Sequence, residues 1–563
     1  MNFSIDNKKL SEAINQSLSR LEKDKIVERI WKKDFTVWDK NPDEISNRLG
    51  WLDSVETTSK AKNEIEEFIK AVMKEGFTHA LLMGMGGSSL APEVFRLTFG
   101  IKKGYLDLSV LDSTHPDVIK EFRDKINFEK TLFIVSTKSG GTVETMSFMK
   151  FFYNESVARL GKGKVGKHFI AITDPGSGLE QTARELKFRK IFLNDPNIGG
   201  RYSALSLFGM VPAALVGVDL NKFLSNTKGI INNSRSLANN SAALLGVIFG
   251  TLANEGINKV TFITSSQIKY FGAWVEQLIA ESTGKNGKGI LPVDLEEILS
   301  PDFYSEDRLF VYLKLKEDNT YDKRVKELGN AGFPIITIEM ENIYNLGKEY
   351  FSWEFATAIA GWALGIQPFD QPNVESAKVQ ARKLVDMYKE TGKLPELKFN
   401  FKQDGIGISG EIESENLTDS MGEFFKNVTG SKSYVAIQAY LKPDDDTTEA
   451  LQKIRTSIQK KYKVATTLGY GPRFLHSTGQ LHKGDSGNGL FIQIIGDPEN
   501  DLPIPDNPGL DNSSISFGIL IRAQALGDRE AMLANQRKVL TFDLGNHVND
   551  GLRWFLNAST KQM

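Results

Sequence analysis

The feature that most constrains this 563-residue chain is a series of short apolar runs, each closed by glycine, serine or aspartate and each followed by a helical stretch. Four of them, HALLMGMGG, LDLSVLDST, KTLFIVSTKSGG and KHFIAITDPGSG, fall between residues 79 and 178. Strands that are apolar throughout are buried on both faces, and strands that alternate with helices build a parallel sheet covered on both sides. Ligands of such sheets bind at the carboxyl ends of the strands, where these glycine- and serine-rich loops lie. A second round follows the polar stretch NNSRSLANN, with VTFITS, RLFVYLKL and FPIITIEM as strands. Ahead of both rounds, residues 7–75 read as helices: Leu10, Ile14, Leu18 and Leu21 share one face, as do Ile65, Phe68 and Val72. Near residue 395 the segment KLPELKFNFKQDGIGISGE reads as a linker and a hairpin, and the remainder, with YVAIQAYL, a helix at TTEALQKIRTSIQKKY, and LFIQII, as a smaller α/β unit. The expected fold class is α/β: two three-layer units with parallel sheets, plus that smaller C-terminal unit.

Composition removes several functions. With 69 basic and 71 acidic residues the net charge is -2, which offers no field for nucleic acid or an anionic membrane, so an anionic ligand needs a local site. The absence of cysteine rules out a thiol nucleophile, disulfides and thiolate metal ligands. The six histidines form no HxH or HExxH cluster, and no metal or cofactor is expected. The first residues carry no apolar signal core and no run is long enough to span a membrane, so the expected location is the cytoplasm.

Two loops carry chemistry. In LLMGMGGSSLAPEVF, Gly84, Gly86, Gly87, Ser88 and Ser89 join a strand to a helix. Glycines let backbone N–H groups approach an anion at a helix N-terminus, although a tight turn needs the same residues with no ligand. In IVSTKSGGTVET, Ser136, Thr137, Ser139 and Thr142 present four hydroxyls and Lys138 a cation, a set suited to a phosphate monoester. Helix capping, with Glu144 nearby, would use only one or two of them.

These loops, followed in order by NIGGRYSALS, QLIAESTGKNGKG and IQPFDQPNVESAK, resemble the signature segments of glucose-6-phosphate isomerases, which carry paired sugar-isomerase (SIS) domains. The resemblance covers roughly residues 60 to 385, and beyond it the chain is similar to the isomerase half of fusion proteins that join transaldolase to such an isomerase. It implies SIS-type units over 1–225 and 226–395 and a C-terminal unit over 396–563. It also implies a reversible, cofactor-free conversion of glucose 6-phosphate to fructose 6-phosphate, by ring opening and proton transfer through a cis-enediol, in glycolysis and gluconeogenesis. Carried over by position, Thr137, Lys138, Ser139 and Thr142 hold the phosphate and the loop of Gly87 and Ser88 shapes the sugar side. Glu281 transfers the proton, with Gln277 one helical turn earlier on the same face. Arg201 stabilises the enediolate. Lys378 contacts the ring oxygen or sugar hydroxyls, and Gln371 shares its face if a helix begins near Pro372.

The family's ring-opening histidine belongs in an HSxxQ segment between the glutamate and lysine motifs, yet ILPVDLEEILSPD contains no histidine. A matching segment, RFLHSTGQLHKG, occurs about a hundred residues after Lys378 and nominates His476, brought back to the site by the C-terminal unit. His482 is a poorer candidate, His115 is expected to shape a loop, and His79, His168 and His547 have no supporting context. A homodimer is the default because the family's sites often draw on a second subunit, and functional association with a transaldolase is a further expectation. Three alternatives remain at this level: an isomerase that also takes mannose 6-phosphate, a non-catalytic sugar-phosphate sensor, and a C-terminal unit that only docks a transaldolase.

Overall fold

A computed structural model describes residues 1–561. Among the described residues, eighteen strands fall into three sheets of five or six strands and one two-stranded ribbon. β1 (Asn2–Ser4) stands apart from the first sheet, which comprises β2 (His79–Gly84), β3 (Asp107–Leu111), β4 (Thr131–Ser136), β5 (Phe169–Thr173) and β6 (Lys190–Leu193). This sheet is parallel throughout, in the order β3-β2-β4-β5-β6. The chain reverses direction across the sheet between β2 and β4, and the crevice beyond their carboxyl ends lies between the two glycine loops. All six residues of β4 are buried, as its unbroken apolar run requires.

The second sheet contains β7 (Lys259–Thr264), β8 (Leu291–Val293), β9 (Arg308–Leu315) and β10 (Ile335–Met340), in the order β1-β10-β9-β7-β8. Only β1 is antiparallel, so the chain's first residues seal the edge of the second sheet and not the first. The helix Leu346–Leu364, buried almost all round, joins both layers in one apolar core.

The C-terminal sheet has six strands and is thus no smaller than the others. Its strands are β11 (Phe401–Gln403), β12 (Ile406–Ser409), β13 (Tyr434–Tyr440), β14 (Ala465–Tyr470), β15 (Gly489–Ile495) and, beyond the ribbon β16 (Pro503–Ile504) and β17 (Ile515–Ser516), β18 (Lys538–Asp543). The hairpin expected after residue 395 is β11–β12, paired antiparallel. The strands β6, β8, β14 and β18 do not stand out in the sequence: β8 has three residues, and β6 and β14 are sheet-edge strands whose exposed or half-buried residues interrupt the apolar run. Among the described residues no helix is long and apolar enough to cross a membrane.

Buried polar contacts fasten this C-terminal unit to the rest. Glu296 is fully buried, takes Arg308 Nη1 at 2.8 Å, and accepts from both the backbone N–H (3.0 Å) and the hydroxyl (2.9 Å) of Thr466 in β14. An ion pair out of water holds only when its remaining hydrogen-bonding capacity is met, and Thr466 supplies that across the junction. Elsewhere Gly527 of the helix Phe517–Ala534 abuts the helix Val374–Thr391 so closely that a β-carbon there would lie 2.6 Å from Ala381 N.

Candidate active site

Glu281 and Gln277 sit one turn apart on the helix Phe271–Thr283, and Gln277 Nε2 donates to Glu281 Oε2 at 3.1 Å. The same amide nitrogen donates to the main-chain oxygen of His476 at 2.7 Å. One buried side chain therefore ties the glutamate to the histidine segment 195 residues further along the chain. Arg201, 3% exposed, lies with Nη1 3.7 Å from Glu281 Oε2. Its other contacts fix it in place: Nε donates to Ser282 Oγ (2.8 Å), Nη1 to Gln371 Oε1 (2.6 Å), and Nη2 to the carbonyls of Pro368 (2.8 Å) and Asp370 (2.9 Å). Lys285 anchors the same loop through Asp370 Oδ1 at 2.6 Å. Burial, and then the charge of Arg201, push its amine down to about 8.

His476 ends a short 3-10 turn, Arg473–His476, that Arg473 pins to Asp112 of the first unit at 3.3 Å. His476 Nε2 lies 3.0 Å from Glu144 Oε1. Burial works to raise the Glu144 carboxyl, but the charge and hydrogen bond of His476 outweigh it and hold the group below its ordinary range. Gln480, the last residue of HSTGQ, knits the motifs together. Its Oε1 accepts from the backbone N–H groups of Asn373 (2.8 Å) and Val374 (3.1 Å), and its Nε2 donates to the Gly284 carbonyl (2.9 Å).

The glycine loop after β2 is the hub on which these segments meet. Gly86 has φ +54°, and a β-carbon there would lie 2.8 Å from Gln277 Nε2 and 3.0 Å from the His476 carbonyl. At Gly87 a β-carbon would stand 1.9 Å from the Gly200 carbonyl, beside Arg201. These glycines allow the arginine, glutamate and histidine segments to close on one another. Ser88 is half-buried, and its carbonyl accepts from Ser136 Oγ at 3.2 Å.

The loop after β4 opens onto a cavity of about 850 Å³ whose lining includes Ser139, Thr142, Glu144, Lys378, His476 and Gln524. Thr142 is the N-cap residue of the helix Val143–Leu160 but makes no side-chain cap bond; its hydroxyl lies 3.1 Å from that of Thr137. Helix capping therefore does not account for the Thr142 hydroxyl, and the first residues of the helix, Val143 and Glu144, line the cavity. Lys378 lines the cavity, with Glu375 at 3.4 Å.

Two expectations need correction. The helix carrying Lys378 begins at Val374, so Gln371 lies in the preceding loop and shares no face with Lys378; it faces Arg201 instead. Lys138 does not line the cavity, because its ammonium is held by Asp174 and by the Pro196 carbonyl at 2.6 Å. Glu281, Gln277 and Arg201 are each no more than 9% exposed and do not line the cavity. His115 heads the helix Pro116–Lys125, and burial pushes its ring down to about 4. His482 is buried, and burial drives its ring well below the ordinary range.

The Phosphoglucose isomerase family model matches residues 50–291. A probable glucose-6-phosphate isomerase of Methanococcus maripaludis is 29% identical over 419 residues, which cover 67% of this chain and 90% of the relative. The glucose-6-phosphate isomerase of Campylobacter jejuni is 28% identical over 385 residues, covering 61% and 93%. Two solved structures share the fold. One is a hypothetical protein from Thermus thermophilus, at 22% identity and TM-score 0.58, covering 68% of this chain and 99% of that one. The other is a glucose-6-phosphate isomerase from Chlamydia trachomatis, at 18% identity and TM-score 0.57, covering 67% and 86%. Through the glycine loop, the phosphate-type loop and the glutamate helix that residues 50–291 contain, this part of the chain is similar to the phosphoglucose isomerase family.

Proposed function

We propose that the protein interconverts glucose 6-phosphate and fructose 6-phosphate. The observation that carries this reading is the Gln277 amide, which hydrogen-bonds Glu281 and the main chain of His476 at once and so holds a base and a ring-opening group in one fixed relation. The reaction oxidises C2 as it reduces C1, so it is redox-neutral and needs no cofactor. It requires a phosphate anchor, a ring-opening acid, a base that carries one proton between neighbouring carbons, and a cation near the enediolate.

The phosphate takes hydroxyls of Ser139 and Thr142 and the N-terminus of the helix Val143–Leu160. His476 passes a proton to the ring oxygen while Glu144 holds its Nε2, and Lys378 supplies a cation on the same cavity wall. With the chain open, Glu281 takes the C2 proton and returns it to C1, and Arg201 offsets the negative charge that develops beside it. Glu281 is buried and does not line the cavity, so this reading requires a movement that admits C2 to it.

The direct test is Glu281→Gln. The amide has the same shape but cannot carry a proton, so exchange of the C2 proton with solvent falls about 10³-fold or more while substrate binding stays within a few-fold. Isomerisation at the wild-type rate would remove Glu281 from the mechanism.

Every side chain named here comes from one chain. A homodimer is what the resemblance implies. Association with a transaldolase and a cytoplasmic location follow from the same resemblance and from a glycolytic substrate.

A further inference from the structure

We infer that Gln524, from the helix Phe517–Ala534 of the C-terminal unit, is a positioning residue that acts through Glu144 on His476 and so governs ring opening; this rests on the function proposed above. Glu144 Oε1 receives two groups, His476 Nε2 at 3.0 Å and Gln524 Nε2 at 2.6 Å. An ionised carboxylate only accepts hydrogen bonds, so the amide must turn its nitrogen toward Glu144. Its oxygen then takes the hydroxyl of Thr114, which donates at 2.9 Å. The opposite amide orientation would set an oxygen against the carboxylate, so both contacts fix one rotamer. Thr114 is fully buried, Gln524 is 5% exposed, and Gln524 reaches the wall of the reaction cavity.

The amide has two effects. It gives a buried carboxylate a donor, which favours the ionised form where solvent cannot. It also shares one oxygen with the imidazole, which fixes how far Glu144 can swing and hence where the ring points. If His476 Nε2 carries the proton donated to Glu144, Nδ1 is the nitrogen left for the substrate. Charged side chains that share the cavity wall with this pair include Lys150, Glu375, Lys378, Arg382, Lys389 and Asp506. Lys378 acts on Glu144 from the helix Val374–Thr391, and Tyr440 of β13 approaches with its hydroxyl 3.5 Å from the Gln524 carbonyl. Asp528, one turn along from Gln524, is taken up by Lys483 at 2.6 Å.

The test separates ring opening from proton transfer. Steady-state constants are measured across pH with glucose 6-phosphate and with its 4,5-dideoxy analogue, which has no hydroxyl able to close a five- or six-membered ring. Wild-type turnover of both, measured first, tests the proposed isomerase on its own. Gln524→Leu is expected to lower kcat on glucose 6-phosphate about 10-fold, with KM within twofold, and to leave the open-chain analogue within twofold. Gln524→Glu keeps the shape, but it can donate to Glu144 only when protonated. It should match wild type on the acid side and lose kcat as pH rises, through repulsion between two carboxylates. Equal slowing of both substrates by Gln524→Leu, no slowing of either, or a wild-type pH profile for Gln524→Glu would each overturn the assignment.

Discussion

The family region, residues 50–291, and the C-terminal unit beyond residue 395 contribute differently to one site. The first presents its chemistry in short segments: hydroxyls bunched after β4, an arginine behind a glycine pair, and a glutamine and glutamate one helical turn apart. The second brings His476, Gln480 and Gln524 on separate elements, and each does its work against a residue of the other units. On the proposed mechanism, proton transfer belongs to the family region, and ring opening to the contact between regions. A reaction whose two halves sit on two folded bodies depends on how those bodies are joined.

The largest effect is expected at the junction itself. Glu296→Ala leaves Arg308 buried without its counter-charge and Thr466 without its acceptor, and should cost about 3–5 kcal/mol in thermal or denaturant unfolding. A loss below about 1 kcal/mol would mean that this ion pair does not hold the regions together.

A second effect should appear as a pH dependence. Glu276 of the glutamate helix and Asp294 face Arg455 and Arg473 of the C-terminal unit. Burial, then the charge of Asp294, pushes Glu276 up to about 8, and burial pushes Asp294 up to about 7. In the unfolded chain both ionise near 4, so between that pH and about 8 the folded protein binds more protons than the unfolded one. Stability should therefore be greatest below about pH 4 as far as this pair is concerned, and decline as pH rises toward 8. Melting temperatures of wild type and of Glu276→Gln/Asp294→Asn across that range test this: the double variant should show the flatter curve, and parallel curves would remove the pair from the account.

The smallest effect concerns a residue within the family region. Lys138 is held by Asp174 and Pro196, so Lys138→Met should loosen the phosphate loop and raise KM less than about 10-fold, with kcat nearly unchanged. A rise of a hundredfold or more would show that the ammonium leaves Asp174 to bind phosphate directly.

What could be read from the sequence follows the same division. The strands β2, β4, β5, β7, β9, β13 and β15 are legible because both their faces are buried over nearly their whole length and their residues are mainly apolar, and β10 is legible from its apolar start although Glu339 is exposed. The helical spacing of Gln277 and Glu281 is legible because periodicity is local. The pairing of Glu144 with His476 is not, because 332 residues separate them and a glutamate in the first turn of a helix reads as a dipole partner. Gln524 carries no local signal, since a glutamine inside an apolar helix is informative only once the opposing surface is known. The capture of Lys138 had a trace in the sequence: Asp174 directly follows β5, the strand next to β4, within reach of a lysine that follows β4.

The central claim is that one chain completes the site, with Glu281 from the family region and His476 from its own C-terminal unit. Co-expressing Glu281→Gln and His476→Ala variants in equal amounts tests it most directly. If His476 serves the glutamate of its own chain, every molecule carries one broken group and the mixture has no more activity than the variants measured separately. Recovery of roughly a quarter of wild-type activity, the share expected when a two-fold dimer exchanges the histidine between subunits, would contradict the account.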